Sequence, residues 1–121
     1  RSNAEEGLGR IVIALDVDPY LVNQDVGVAI AFLVTETIEL AISSDPAAQI
    51  RVVVTPDPAD ANRAILRVVS RALVAGNTLD HLLATRYGRV MEGLARQLRS
   101  KLHHDPMVGA YEISFAVLGR D

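Results

Sequence analysis

Cysteine is absent from this chain of 121 residues, and so is tryptophan. Without thiols there is no disulfide and no thiolate metal centre, a composition that fits a reducing compartment. Only 4% of the residues are aromatic although half are hydrophobic, so the core must be assembled from Val, Ile, Leu and Ala. No apolar run approaches the roughly 18 residues that span a bilayer, and the N-terminus lacks a signal-peptide pattern. Net charge is only −3, too small to name a partner by itself. These absences predict a cytoplasmic, globular domain with no membrane segment.

The length fits a single domain. Arg1-Ser2-Asn3-Ala4 reads as a cloning remnant, which leaves residues 5–121 as that domain. Charge is unevenly spread. Glu5, Glu6, Asp16, Asp18, Asp25, Glu36, Glu39 and Asp45 face only Arg10 in the first part of the chain. Later, Arg86, Arg89, Arg96, Arg99 and Lys101 face only Glu92. Most such runs are solvated faces, but a basic face can also dock a partner.

Local patterns predict the elements. Residues 10–15 read as a strand, and Tyr20-Leu21-Val22 as a short second one after an Asp18-Pro19 turn. Asn23, Gln24 and Asp25 open a helix that Ser44-Asp45-Pro46 ends; it is apolar nearly all round, as in a helix packed on both sides or covered by a partner. Residues 49–55 and 63–70 form a hairpin across a turn with two prolines, with Arg63, Ile65, Arg67 and Arg71 on one face. Asn77 or Thr78 caps a short helix. The clearest amphipathic helix is expected over residues 87–102, with Val90, Leu94, Leu98 and Leu102 on one side, Met91 and Ala95 beside them, and Arg89, Glu92, Arg96 and Arg99 on the other. Residues 101–118 close the chain as a hairpin or terminal strand. Together these predict an α/β (α+β) two-layer sandwich, with one mixed, mostly antiparallel sheet and helices on one face.

The segment Ala29-Ile30-Ala31-Phe32-Leu33-Val34-Thr35-Glu36-Thr37-Ile38-Glu39-Leu40-Ala41, with Arg89-Val90-Met91-Glu92-Gly93-Leu94-Ala95-Arg96-Gln97-Leu98 and the closing 101–118 pair, resembles the Bergerat-type (GHKL) ATPase domain shared by sensor histidine kinases, heat-shock protein 90, gyrase and MutL. The long helix is most similar to that of the HWE and HisKA_2 kinases. The resemblance implies a bacterial two-component signalling protein. It also implies a long helix on which a glutamate base is followed, one turn on, by an asparagine that holds the magnesium of ATP.

This sequence departs from that pattern. Glu36 matches the glutamate, but Leu40 stands where the magnesium ligand belongs, and Thr35 replaces an asparagine. The strand that should end in an adenine-binding aspartate ends in Ser70, followed by Arg71 and Leu73 where glycines are expected. Of the second glycine box only Gly88 remains. The expectation is a degenerate ATPase-like domain with no cofactor and no metal, and with Glu36 as the sole remnant of the catalytic set. Its expected partners are the helical hairpin that carries dimerisation and phosphotransfer in such proteins, or a response regulator. Arg89, Arg96 and Arg99 are the candidate contacts. The nearest analogy within the family is a histidine phosphotransferase whose ATPase-like domain has lost nucleotide. Two alternatives stay open: a divergent but working kinase domain that uses ATP and magnesium, or a module whose old pocket senses another ligand.

The remaining motifs carry less. His103 and His104 are adjacent on a strand and face opposite ways, so they do not converge on one metal. Gly7-Leu8-Gly9 precedes a strand rather than following one and is no dinucleotide fingerprint. The basic 86–104 segment has no aromatic platform for bases, which argues against nucleic acid.

Overall fold

A computed structural model describes residues 12–17 and 20–120. Residues 1–11, with the remnant, the Gly-Leu-Gly motif and the start of the first strand, lie outside the described residues, as does the Asp18-Pro19 turn. The order is β1 (Val12–Val17), β2 (Tyr20–Leu21), α1 (Gln24–Ser44), β3 (Gln49–Pro56) and β4 (Arg63–Val69). A 3-10 turn over Arg71–Leu73 leads to α2 (Asn77–Leu82) and α3 (Gly88–Gln97), then β5 (His103–Asp105), β6 (Ala110–Ala116) and β7 (Gly119–Arg120).

Five strands form one sheet in the order β1-β3-β4-β6-β5. Only β1 and β3 run parallel; the other neighbours are antiparallel. The register is set by alternation. Val52 pairs with Val68, Val54 with Leu66, Leu66 with Ile113 and Val68 with Tyr111, and all of these side chains are buried under the helices. The other face carries Arg63, Ile65, Arg67 and Val69 of β4, half-buried, and Arg67 pairs with Glu112 at 3.6 Å. The expected two-layer architecture is therefore present, with helices on one face.

The β3–β4 turn is tied by its aspartates. Asp57 accepts from the Ala59 amide at 2.8 Å and from Ser114 Oγ at 2.8 Å, while Arg63 Nε donates to the same Ser114 Oγ. The Ala59 and Ser114 donors hold the Asp57 carboxyl below the usual carboxylate range, helped by Arg63.

Helix α1 starts where the sequence says. Asn23 Oδ1 accepts from the Asp25 amide at 3.3 Å, and the Asp45 amide closes the other end on the Ala41 carbonyl. Contrary to the expectation that no apolar run approaches the length of a bilayer span, it is by length and composition apolar enough to cross a membrane. Ala29, Leu33, Thr37, Leu40 and Ala41 form its buried stripe.

Four details differ from expectation. The last strand ends at Ala116, and residues 119–120 pair instead with β2, which no local pattern announces. Arg71 leaves the arginine face of β4, because Ser70 ends the strand and Arg71 opens the 3-10 turn. The cap of α2 is Gly76 rather than Asn77 or Thr78. Finally, α2 and α3 are not separated by a loop. They join through a π-type turn over Leu83–Tyr87, so residues 77–97 are helical throughout.

Helix α3 also stops earlier than residue 102. Arg99 adopts φ 54°, in the left-handed region. Its amide donates to the Arg96 carbonyl at 3.0 Å and the Ser100 amide to the Ala95 carbonyl at 3.2 Å, a Schellman closure. Glycine is the usual residue there, and a side chain in this conformation costs about 1 kcal/mol. Arg99→Gly is expected to stabilise the domain by about 0.5 kcal/mol in urea unfolding, since glycine's freedom in the unfolded chain offsets part of the relief. A destabilised variant would mean that the arginine side chain contributes contacts to the folded domain.

Candidate functional site

The positions that the resemblance assigns to nucleotide fall on the C-terminal half of α1 (Leu40), just past β4 (Ser70) and at the end of the turn that leads into α3 (Gly88). The structure gives each of them a role of its own.

Leu40 is fully buried, 0% exposed, one turn after the half-buried Glu36. Leu73, 0% exposed, and Leu79, 1% exposed, belong to the same core cluster, as do Ala41, Tyr87 and Met91. Helix α1 packs against the 3-10 turn, α2 and α3. An isobutyl group offers no lone pair to a cation. Each buried leucine contributes about 2 kcal/mol by leaving water, so this packing is part of what holds the domain together. Thr35, at the other position in question, spends its hydroxyl on its own helix by donating to the Ala31 carbonyl at 2.9 Å.

Ser70 is buried, but its hydroxyl is already used. Its Oγ accepts from the Ala72 amide at 3.2 Å and caps the 3-10 turn, while its own amide donates to the Gly109 carbonyl at 2.8 Å. Arg71 points to solvent, and Leu73 fills the interior. Bulk was expected from both; only Leu73 supplies it.

Gly88 was read as the residue of a glycine-rich phosphate loop. It is helical, with φ −60°, and its amide reaches back five residues to the Leu83 carbonyl. A Cβ at this position would stand 2.6 Å from that oxygen. The glycine serves the close approach inside the π-type turn, not a flexible loop. Ser43 Oγ and Tyr87 Oη lie 3.1 Å apart and pin this turn to the end of α1. Arg86 stacks over the Tyr87 ring and reaches Glu39 at 3.8 Å. The magnesium–nucleotide group implied by the resemblance therefore does not fit the residues present: the cation ligand is a buried leucine, and the loop that would close on phosphates is a helix.

A cleft of about 230 Å³ lies on the far side of α3, between Gly88, Met91 and Glu92 and the residues Leu102, His104 and Tyr111. His104 stacks on Tyr111, ring centroids 4.2 Å apart, and its Nε2 lies 2.8 Å from the Leu73 carbonyl. Burial, with Asp80 nearby, pushes the Tyr111 hydroxyl up to about 12, so it stays protonated. His103 is exposed on the other side of the strand, as alternation requires. Among the described residues no three His, Asp or Glu side chains gather around a cation-sized space.

Arg89 and Arg96 are exposed on α3, and Arg99 is exposed just past its end. Of the apolar side read from the sequence, Met91, Ala95 and Leu98 are buried and Leu94 and Leu102 half-buried, but Val90 is 45% exposed. A strict four-residue spacing drifts about 40° per step around a helix of 3.6 residues per turn, so one end of the Val90-to-Leu102 stripe, here Val90, turns outward. Val28 and Phe32, among the apolar residues of the long helix that the sequence reading offers to a partner, are exposed at 48% and 57%.

No protein-family model matches this chain, and no curated protein does. Solved structures do. The blue-light activated histidine kinase EL346 of Erythrobacter litoralis superposes with a TM-score of 0.74 at 15% identity, over 92% of this chain and 39% of that one. The histidine kinase domain of the same protein gives 0.71 at 16%, over 92% and 54%. The mycobacterial sensor histidine kinase MprB gives 0.68 at 14%, over 90% and 83%. The chain thus spans about half or less of the first two proteins. At these identities the likeness is one of architecture, and it agrees with the strand order and helical layer above: this chain has the histidine kinase-like ATPase fold.

Proposed function

We propose that this chain is a nucleotide-silent domain of a bacterial two-component histidine kinase or phosphotransferase, at work in the cytoplasm, which acts by binding protein rather than by hydrolysing ATP. The observation that carries this reading is Leu40, wholly buried where a magnesium ligand would be needed. The spent hydroxyl of Ser70 and the helical Gly88 support it independently. The domain uses no cofactor. Its partners are the helical hairpin that carries dimerisation and phosphotransfer, or a response regulator, met through Arg89, Arg96 and Arg99.

A second reading, sensing of another small molecule, draws on the cleft beside Tyr111. At about 230 Å³ that cleft falls below the roughly 300–1,000 Å³ of typical ligand sites, which disfavours it. The decisive experiment is calorimetric titration of ATP and ADP, with magnesium, into the purified domain. No heat and no shift in melting temperature at millimolar nucleotide are expected. A ligand at 100 times its Kd would add about 2.7 kcal/mol of stability, so binding would be plain. Micromolar affinity would restore a working, divergent kinase domain.

A further inference from the structure

The cleft of about 230 Å³ between α3 and the β5–β6 pair is too small for a drug-sized ligand, but it has room for one long side chain. Its construction says which kind. The walls are apolar: Met91 is buried, and Leu83 and Leu102 are half-buried. The stacked rings of His104 and Tyr111 line it as well.

The polar groups of the cleft ask for a donor. His104 Nε2 lies 2.8 Å from the Leu73 carbonyl, which only accepts, so the ring's proton sits on Nε2 and is spent there. The Tyr111 hydroxyl has no hydrogen-bond partner among the described residues, and it is not sealed off. Its oxygen has lone pairs to offer. Glu92 is exposed at the rim and forms no ion pair among the described residues.

The charges that reach the cleft are negative. Glu92 is the one carboxylate that lines it, and no arginine or lysine does. From α2, Asp80 adds to the upward push on the Tyr111 hydroxyl, so its field is felt at the same place. Arg89 and Arg96 flank Glu92 on α3 without lining the cleft. Arg96 leans away, its Nη2 lying 3.9 Å from where a Cβ on Gly93 would stand. Lys101 and His103 line a separate cleft on the open face of the sheet, with Ile65 and Ser114.

We propose that this cleft receives one arginine side chain of a partner protein, with its aliphatic stem on Leu83, Met91 and Leu102 and its guanidinium between the Glu92 carboxylate and the Tyr111 hydroxyl. Arginine suits the site better than lysine, because its guanidinium is more weakly hydrated and its donors form a planar fork. Its stem also buries well against apolar walls. Arg89, Glu92 and Arg96 share one side of α3, so a partner that meets the two arginines passes over the mouth of the cleft. The inference rests on the protein-binding role proposed above and supplies its anchor. It does not depend on whether nucleotide binds.

The test is an NMR titration of the isotopically labelled domain with capped tripeptides that carry arginine, lysine, leucine or glutamate between two glycines. Physiological salt screens diffuse attraction. The arginine peptide is expected to shift the signals of Leu83, Met91, Leu102 and Tyr111. The lysine peptide should bind about threefold more weakly, and the leucine and glutamate peptides about tenfold more weakly or less. Glu92→Gln is expected to weaken arginine binding about fivefold, and Tyr111→Phe about threefold. Glu92 is exposed and Tyr111→Phe keeps the buried ring, so both variants fold, which their amide spectra verify. Equal binding of the leucine or glutamate peptide, or full affinity in Glu92→Gln, overturns the proposal. Guanidinium ion alone, bound as tightly as the peptide, would make the occupant a free small cation and overturns it too. So does a dimer, seen by light scattering, that the arginine peptide dissociates, since a second copy would then fill the cleft. Shifts confined to another face overturn the cleft but leave the protein-binding role standing.

Discussion

Replacing Gly109 by alanine is expected to lower the melting temperature by about 12 °C. Gly109 sits at the β5–β6 turn with φ +84°, where L-residues are strained. Its amide donates to the Asp105 carbonyl at 2.9 Å, and its carbonyl accepts from the Ser70 amide at 2.8 Å. A Cβ there would collide with the backbone oxygen of Ser70 and come within 3.0 Å of Val74 Cγ2. Val74 can turn aside, but the Ser70 carbonyl cannot, because it accepts from the Leu73 amide and belongs to the 3-10 turn. Strain and overpacking together are put at about 3 kcal/mol. At roughly 4 °C per kcal/mol for a domain of this size, the melting shift follows. Thermal unfolding followed by circular dichroism gives the answer. A loss below about 1 kcal/mol would mean that the two segments can separate at little cost.

Leu40→Asn, which would put the missing magnesium ligand back, is expected to cost about 4 kcal/mol and to restore no binding. Truncating a buried leucine costs 2–5 kcal/mol, and an amide left without partners among Leu73, Leu79 and Met91 adds roughly 1–3 more. Against a total of 5–15 kcal/mol this removes much of the fold's stability. Leu40→Ala separates the two effects, since it opens the cavity without the polar group and should cost about 3 kcal/mol. Urea unfolding with and without magnesium and ATP reads both. Should Leu40→Asn remain stable and gain magnesium-dependent protection from ATP, the pocket would be one substitution from function, and the filling by Leu73 and Leu79 would be secondary.

Much of this was legible in the sequence because the chain is punctuated. Asn23 and the Ser44-Asp45-Pro46 run mark α1 to within a residue, and the β-branched run 49–55, the two-proline turn and residues 63–70 give both strands to within a residue. The β2–β7 pair was not legible, since two residues at each end of the domain carry no period of their own. The π-type turn was hidden for another reason. One extra residue per turn leaves an apolar pattern that looks like two helices, and a glycine inside it looks like a loop. At the site, Leu40 could be recognised as a non-ligand from its side chain alone. That Leu73 and Leu79 fill the space beside it depends on how residues 71–79 fold back on α1, which only the tertiary structure supplies.

The unbroken helix from residue 77 to residue 97 has a mechanical consequence. At 1.5 Å per residue it is a rod roughly 30 Å long, with Gly76 at one end and Arg99 just past the other. A loop would absorb a displacement applied at one end. A rod passes it on, pivoting where Ser43 and Tyr87 pin it to α1. A displacement of the segment before Gly76 would thus reappear as a tilt at the far end, where Arg99 sits.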